Sequence, residues 1–537
     1  MKLQQDNAFL VTPYTGLQGL VLLVLTTAWV FAMLFFYHWW FNANHVVDFW
    51  KFGIITFLLI WVTLQAAHFL FLTLRARVPN PYLEIPIGWR VAMVVTKVPS
   101  EPIPMVQETI RGMLRQGYPA DIWLADEDPD QDMITWCNDH QIKISSRKGV
   151  PEYHQNDWPR RMRCKEGNLA YFYDKIGYNS YDFVIQMDAD HIPQEGYLEE
   201  MLRPFMDPSV GYISAPSICD LNANISWSAR ARLYAEAHFH GLQQAGSTNG
   251  FAPLCIGSHY AVRTRALREI GGLGPELAED HSTTLMMNAA GWHGVHAISA
   301  IARGHGPRNF ADFAIQEFQW ARSLTTILFE FMPTNWYNLP IKKRLHFAIS
   351  QLWYPLSSLS MLIFLVIPAS ALYTSTPWVS VIYLDFLWRI MLMIMPLIMM
   401  STYLTKLGYA RPRSAKFISL ESFYFIFVRW PWSLLGCLMA LWDQARSQRA
   451  NFRITPKPGA AGEIRFSSLY SLPYIIFSFF ALAPVIFVTN TGSASGYIFF
   501  SLINALIYAI VFTIINLSFS REDLSNAESK IMKFESL

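Results

Sequence analysis

Residues 181–193 read Tyr-Asp-Phe-Val-Ile-Gln-Met-Asp-Ala-Asp-His-Ile-Pro, and the rest of the chain is organised around them. Phe183 to Met187 is short, apolar and β-branched, which predicts a buried strand. It runs straight into Asp188 and Asp190, two carboxylates placed where a strand ends and the chain turns. In an open α/β sheet, ligands bind beyond the carboxyl ends of the strands. Paired carboxylates at that position suit a hard divalent cation, Mg²⁺ or Mn²⁺, which takes a few protein oxygens and completes its shell with phosphate. An isolated D-x-D is more often a polar turn, so the weight falls on its surroundings.

Composition narrows the class. The chain has 537 residues, of which 52% are hydrophobic and 15% charged, with 19 Trp and 38 Phe. That is too apolar and aromatic for an ordinary soluble enzyme, yet the middle is too polar for a purely membrane-embedded protein. A formal net charge of +2 gives no support to a nucleic-acid partner. Cys137, Cys164, Cys219, Cys255 and Cys437 are odd in number, lack zinc-ligand spacing and read as free thiols of a reducing compartment.

Taken in order, residues 1–78 predict an N-terminal membrane region, because Gly19–Tyr37 and Phe52–Leu74 are each long and apolar enough to span a bilayer. No small-residue cleavage site follows the first run, so it reads as an uncleaved span. Arg75 and Arg77 mark the cytoplasmic end of the second. Residues 79–311 have the composition of a soluble α/β domain. Strands are expected at Val91–Thr96 and Ile122–Ala125, and helices at Pro104–Gln116 and Leu169–Ile176. A basic helix is expected at Ala261–Ile270, stopped by Gly271-Gly272. The alternation implies a mostly parallel sheet.

Residues 312–343 predict amphipathic interfacial helices. Residues 344–405 predict two spans, Phe347–Tyr373 and Trp378–Leu404, and residues 469–518 two more, Leu469–Asn490 and Ser495–Ser518. Residues 519–537 would form a cytoplasmic tail. Within 406–468, the apolar stretch Leu420–Trp442 carries Glu421, Arg429 and Pro431 and has basic flanks on both sides. It is expected to lie in the interface or re-enter rather than cross, leaving a loop at Asn451–Lys457 on the catalytic side. The expected total is six spans with both termini cytoplasmic.

Four further stretches fit a nucleotide-sugar site. Lys165-Glu-Gly-Asn168 supplies a cation, a close-approach glycine and an amide just before a helix, useful for a phosphate or ribose. Glu279-Asp280 follows the glycine-rich segment Gly271–Gly274; Asp280 is the candidate general base, with Glu279 beside it. The competing reading makes Asp280 the cap of a helix at Thr283–Ala290. Gln316 and Trp320 lie four apart on one helical face, and Trp320 can serve as a platform for a sugar ring or as an interfacial anchor. Phe452-Arg-Ile-Thr-Pro-Lys457 lies in a polar loop between membrane elements.

In order and spacing this set resembles the processive family 2 glycosyltransferases, the membrane-embedded synthases of cellulose, curdlan, hyaluronan and chitin. Their series runs from an N-terminal Asp through K-x-G-N, D-x-D, T-E-D and Q-x-x-R-W. Here it is matched by Asp126, Lys165–Asn168, Asp188-Ala-Asp-His191, Ala278-Glu-Asp280 and Gln316–Trp320. Phe452-Arg-Ile-Thr455 resembles the F-x-V-T gating loop of the cellulose synthase branch. The resemblance covers Val91 to Lys457 with the flanking spans, and implies an α/β GT-A-type glycosyltransferase domain inserted between transmembrane α-helices.

It further implies roles. Asp126 and Lys165 would hold the uridine end of a UDP-sugar, with Asn168 in the same donor site. Asp188 would contact the nucleotide, and Asp190, with Asp188, the metal on its diphosphate. Asp280 would be the base, beside Glu279. Trp320 and Gln316 would face the acceptor, and Phe452, Thr455 and Lys457 would close over bound substrate. Three departures stand out: Val98-Pro-Ser-Glu101 for T-Y-N-E, Ala278 in T-E-D, and Gln319 for the arginine before the tryptophan. Arg322 or Arg308 is the available replacement for that cation.

The implied activity is inverting, metal-dependent polymerisation of a UDP-sugar, UDP-glucose being favoured, into a β-glucan secreted through the chain's own channel. Its setting would be multi-pass in a bacterial inner membrane, with the catalytic domain cytoplasmic. Partners would be the donor, the growing polysaccharide, the bilayer and envelope-export subunits, with no nucleic acid. Two alternatives remain. A transferase adding one sugar to a lipid carrier would share the D-x-D and the spans. A transporter with a regulatory cytoplasmic domain would need more intramembrane charge than Asp385 and Arg389 supply.

Overall fold

The computed structural model describes residues 8–162, 164–248, 250–446 and 468–535, with only the backbone at Ser468 and from 519 onward. Its central sheet has seven strands. They are β1 (Val91–Lys97), β2 (Asp121–Asp126), β3 (Lys143–Ser145), β4 (Phe183–Met187), β5 (Val210–Ser214), β6 (His259–Arg263) and β7 (His293–His296). The spatial order is β7-β5-β6-β4-β1-β2-β3. β1 runs parallel to β2 and β4, β2 parallel to β3, and β5 parallel to β7, while β6 is antiparallel to both β4 and β5. The sheet is therefore mostly parallel, as the alternation of strands and helices predicts.

The reason lies in the strand sequences. Every residue of β4 and β5 is buried, so these strands need cover on both faces. Val106, Ile110, Leu198 and Met201 pack on one face of the sheet, and Leu169, Phe172, Leu267 and Met287 on the other. From β1 the chain moves outward to β2 and β3, then returns to place β4 on the other side of β1. The carboxyl ends of β1 and β4 thus flank the point where strand order reverses, which is where such sheets open a binding crevice. Asp188 follows β4 and Asp126 ends β2 at that edge.

One expected element changes type. Ala261–Arg263 belongs to β6, and the helix after it is only Thr264–Glu269. β6 is paired on both sides, with His259–Arg263 against Met187–Phe183 and Tyr260–Val262 against Ser214–Tyr212. Two ladders of backbone hydrogen bonds outweigh a weak helical preference over three residues. The stop at Gly271-Gly272 is present, with φ values of +87° and +116°.

Among the described residues six helices are long and apolar enough to cross a membrane: Gly16–Trp40, Phe49–Leu74, Ile341–Tyr373, Tyr383–Lys406, Leu420–Ala445 and Tyr497–Ser518. The number equals the expected count, but membership differs by one. Leu472–Phe487 has 16 residues, about 24 Å of helix, with Pro473 in its first turn and Pro484 in its last. Leu420–Ala445 is one continuous 26-residue helix across Pro431. Its three charged residues are each paired with residues of other helices: Glu421 with Arg230 at 2.9 Å, Arg429 with Glu317 at 2.9 Å, and Asp443 with Arg322 at 2.6 Å. The amphipathic helix expected after Phe310 is Phe310–Thr326, and it packs along Leu420–Ala445.

Candidate active site

The end of β4 is anchored before it does anything chemical. The Asp188 N–H donates to the Ser258 carbonyl at 2.8 Å, and the Ala189 carbonyl accepts from Thr109 Oγ1 at 2.8 Å. Ala189 is buried between the two aspartates, Asp190 is buried too, and Asp188 remains partly exposed. Asp190 and His191 are buried, and His191 Nδ1 lies 3.1 Å from Asp190 Oδ1. Ligand atoms of Asp188, Asp190 and His191 lie within 4.8 Å of one another, the one such group of metal-capable side chains among the described residues. Two carboxylates and an imidazole are a fitting donor set for Mn²⁺ or Mg²⁺. The sequence resemblance assigns His191 no role. Its contiguity with the D-x-D was the available signal.

Lys165, the first residue of the helix Lys165–Phe172, crosses to this cluster. Its Nζ donates to Asp188 Oδ1 at 2.7 Å and to the Gly257 carbonyl at 2.5 Å, and lies 3.9 Å from Glu279 Oε1. Lys165 thus meets the D-x-D and the Glu279-Asp280 turn at once. Burial alone would lower its pKa, but Asp188 and Glu279 outweigh that and raise it, so it stays an ammonium.

Glu279 and Asp280 open the helix Glu279–Ala289, whose cap is Ala278 with no side-chain capping bond. Asp280 sits inside the first turn, not at the cap, and the cap reading falls. Its Oδ1 accepts the His281 N–H at 2.7 Å, and the Gly257 N–H also supports it. Gly257 stands so close that a Cβ there would be 3.3 Å from Asp280 Oδ2. The Asp280 pKa is raised by burial and by Asp188, against those two N–H groups and Lys165. Burial raises Glu279 too, with Lys165 opposing and Asp280 adding to it. A buried carboxylate held near neutrality is suited to take a proton.

At the far side of the crevice Asp126 is fully buried at the end of β2, 2.9 Å from Lys97 at the end of β1. Burial raises its pKa even against that ammonium. Lys97, which belongs to none of the motifs, immediately precedes the Val98-Pro-Ser-Glu101 segment. Asn168 Nδ2 donates to the Ala125 carbonyl at 3.0 Å, tying the Lys165 helix to the end of β2. Its buried Oδ1 has no partner among the described residues.

Trp320 and Gln316 share one side of Phe310–Thr326, and Trp320 remains 40% exposed. Gln319 is buried. Neither cation offered as its replacement is free, since Arg308 pairs with Asp312 at 2.7 Å and Arg322 with Asp443. Instead Arg232, from the helix Trp227–Ala235, lies against the motif, and nothing in its own sequence context announces it. Phe452, Thr455 and Lys457 lie outside the described residues.

Residues 183–442 match the family model described as Glycosyl transferase family group 2. The chain is 26% identical over 306 residues to cellulose synthase 2 of Novacetimonas hansenii, covering 55% of this chain and 18% of that protein. It is 24% identical over 295 residues to the UDP-forming cellulose synthase 1 catalytic subunit of Komagataeibacter xylinus, covering 52% and 38% respectively. It is 25% identical over 296 residues to the UDP-forming cellulose synthase catalytic subunit of Pseudomonas fluorescens, covering 53% and 38%. The aligned region thus spans well under half of each relative. Among solved structures the chain is similar to a mannosyltransferase of Pyrobaculum calidifontis in complex with GDP-Man and Mn²⁺, at 12% identity and a TM-score of 0.41, covering 79% of this chain and 99% of that one. It is also similar to glucosyl-3-phosphoglycerate synthase of Mycobacterium tuberculosis, at 14% identity and a TM-score of 0.28, covering 41% and 73%. Residues 183–442 thus carry a family 2 glycosyltransferase domain similar to that of cellulose synthases, in a chain with helices long and apolar enough to cross a membrane on either side of the sheet domain.

Proposed function

We propose that this protein is a processive, inverting synthase that polymerises a UDP-sugar, UDP-glucose in the first instance, into a β-glucan and exports it through its own membrane helices. The observation that carries the reading is the Lys165 ammonium, which ties the end of the D-x-D strand to the Glu279-Asp280 turn. It makes one site of the carboxylates that would face the donor diphosphate and the carboxylate that would face the acceptor.

Asp190, with Asp188 and His191, would hold Mg²⁺ or Mn²⁺, which when bound supplies positive charge beside the diphosphate leaving group. Asp280 takes the proton of the acceptor hydroxyl as that oxygen forms its bond to the anomeric carbon. The bond to UDP breaks on the opposite face, giving inversion. Lys165 holds Asp188 in place and limits mutual repulsion among Asp188, Glu279 and Asp280. Asp126 and Asn168 face the nucleoside, and Trp320 and Gln316 the acceptor end. Phe452, Thr455 and Lys457 act as the closing loop.

The same reading places the Leu420–Ala445 helix against the interface. Glu421, Arg429 and Asp443 find their partners in Arg230, Glu317 and Arg322, all within the catalytic and interfacial segments. The charged start of Ile341–Tyr373, with Lys342, Lys343 and Arg344, marks the cytoplasmic side of that span. The catalytic domain would then face the cytoplasm of a cell whose inner membrane holds the chain, with the bilayer and envelope-export subunits as partners.

The experiment is direct. Purified protein in detergent is incubated with Mg²⁺ or Mn²⁺ and each UDP-sugar in turn, and the product is digested with linkage-specific hydrolases. A water-insoluble polymer cut by a β-glucanase is expected. A single sugar recovered on a chloroform-soluble carrier would replace this reading with lipid glycosylation.

A further inference from the structure

We propose that Arg232 is the positioning residue of the acceptor platform, locking Trp320 and Gln316 into the orientation that presents the acceptor sugar to Asp280; this rests on the synthase reading above. Its guanidinium carbon lies 4.4 Å from the centre of the Trp320 ring and 4.9 Å from that of Phe313, so it is held against both aromatic side chains. One arm of its fork donates to Gln316 Oε1 and the other, Nη2, to Glu317 Oε1 at 2.7 Å. A planar, always-charged guanidinium can do all of this at once, and an ammonium cannot. Arg232 is buried, and its Nε has no hydrogen-bond partner among the described residues. That leaves a donor beside a tryptophan that is itself 40% exposed.

The contacts reach further than one helix. Glu317 accepts from Arg232 on one oxygen and pairs through the other with Arg429 of Leu420–Ala445 at 2.9 Å. Arg429 in turn lies 3.6 Å from Glu236, just past the Arg232 helix, and donates to the Tyr354 hydroxyl at 3.3 Å. Two arginines and two glutamates balance in charge while joining four helices beneath Trp320. Where the family motif has a cation inside Q-x-x-R-W, this chain has Gln319, and a cation from another helix lies against the same motif. Arg308 and Arg322 are committed to Asp312 and Asp443.

The test compares wild type with Arg232→Gln, Arg232→Lys, Trp320→Ala and the Arg232→Gln/Trp320→Ala double variant, in the full-length purified protein. Each is measured for polymer formation over a range of UDP-glucose, for glucose released to water, and for UDP binding by calorimetry. Arg232→Gln should lower kcat for polymer about tenfold, the effect of losing the cation beside Trp320 and the two-armed hydrogen bonding to Gln316 and Glu317. KM for UDP-glucose and UDP affinity should stay within about twofold, a split that general misfolding would not give. Arg232→Lys should recover part of the loss. In the Trp320→Ala background, Arg232→Gln should cost little more, because residues acting as a unit are not additive.

Arg232→Gln leaves Glu317 paired with Arg429, so no buried carboxylate is orphaned. If it nevertheless fails to fold, Arg232→Lys carries the test, with an unchanged kcat for polymer overturning the proposal. Full activity in Arg232→Gln, an equal loss of UDP binding, or multiplicative losses in the double variant would also overturn it. Those outcomes leave the synthase reading intact, whereas a wild type that forms no glucan removes both.

Discussion

Replacing Asp280 with asparagine removes the proposed base while nearly conserving shape. The carboxylate accepts two backbone N–H groups, those of His281, at 2.7 Å, and Gly257. An amide offers one oxygen, so its NH₂ must face one of those donors and a charge-assisted hydrogen bond is lost, about 1.5–3 kcal/mol. The opposing contribution is the relief of burying a charge. The Asp280 pKa is raised above its ordinary value, so ionising it costs native stability as pH rises through that range, and asparagine avoids this cost. The two effects are similar in size and opposite in sign, so the net change in stability should be within about 2 kcal/mol. Loss of a general base, by contrast, costs about 10²–10⁴ in rate, or roughly 2.7–5.5 kcal/mol of barrier. Polymer formation from radiolabelled UDP-glucose should therefore fall at least a hundredfold while UDP binding and the thermal transition hardly move. Turnover within tenfold of wild type would refute the reasoning and leave Asp280 as a structural residue of the helix start.

Further outcomes follow from the same site. Polymer formation should require Mg²⁺ or Mn²⁺, and Asp190→Asn should abolish metal-dependent UDP binding; full turnover in excess EDTA would contradict this. The acid limb of the kcat–pH profile should lie above the ordinary carboxylate range, because activity needs ionised Asp280 and burial raises its pKa. Lys165 lowers the pKa of Asp280 and Glu279, so Lys165→Met should move that limb to higher pH as well as reduce activity; an unmoved limb would separate Lys165 from the base. A cysteine at position 451 should react with a membrane-impermeant thiol reagent from the cytoplasmic side only, and more slowly with UDP bound. Labelling from outside would mean that Leu420–Ala445 crosses the membrane.

The sheet domain and the order of its motifs were legible from residues alone, because their signals are local. A run such as Phe183–Ile185 is apolar at consecutive positions only if both faces are covered, and acidic residues soon after it can only fall at the strand's end. The membrane runs were legible for the same reason, since a hydrocarbon layer sets a minimum length. Where tertiary structure overruled local preference, partners distant in sequence decided. Ala261–Arg263 became strand because β4 and β5 flank it, and Leu420–Ala445 continued through Pro431 with its charges matched by Arg230, Glu317 and Arg322. The site divides along the same line. Asp188, Asp190, Lys165, Glu279 and Asp280 can be named one by one as candidates, but that a single ammonium bridges Asp188 and Glu279 depends on a helix, a turn and a strand end meeting across 23 to 114 residues. Arg232 belongs wholly to the second kind: 88 residues from Trp320, it gains significance only when two helices pack and the absence of a cation at 319 is answered from outside the motif.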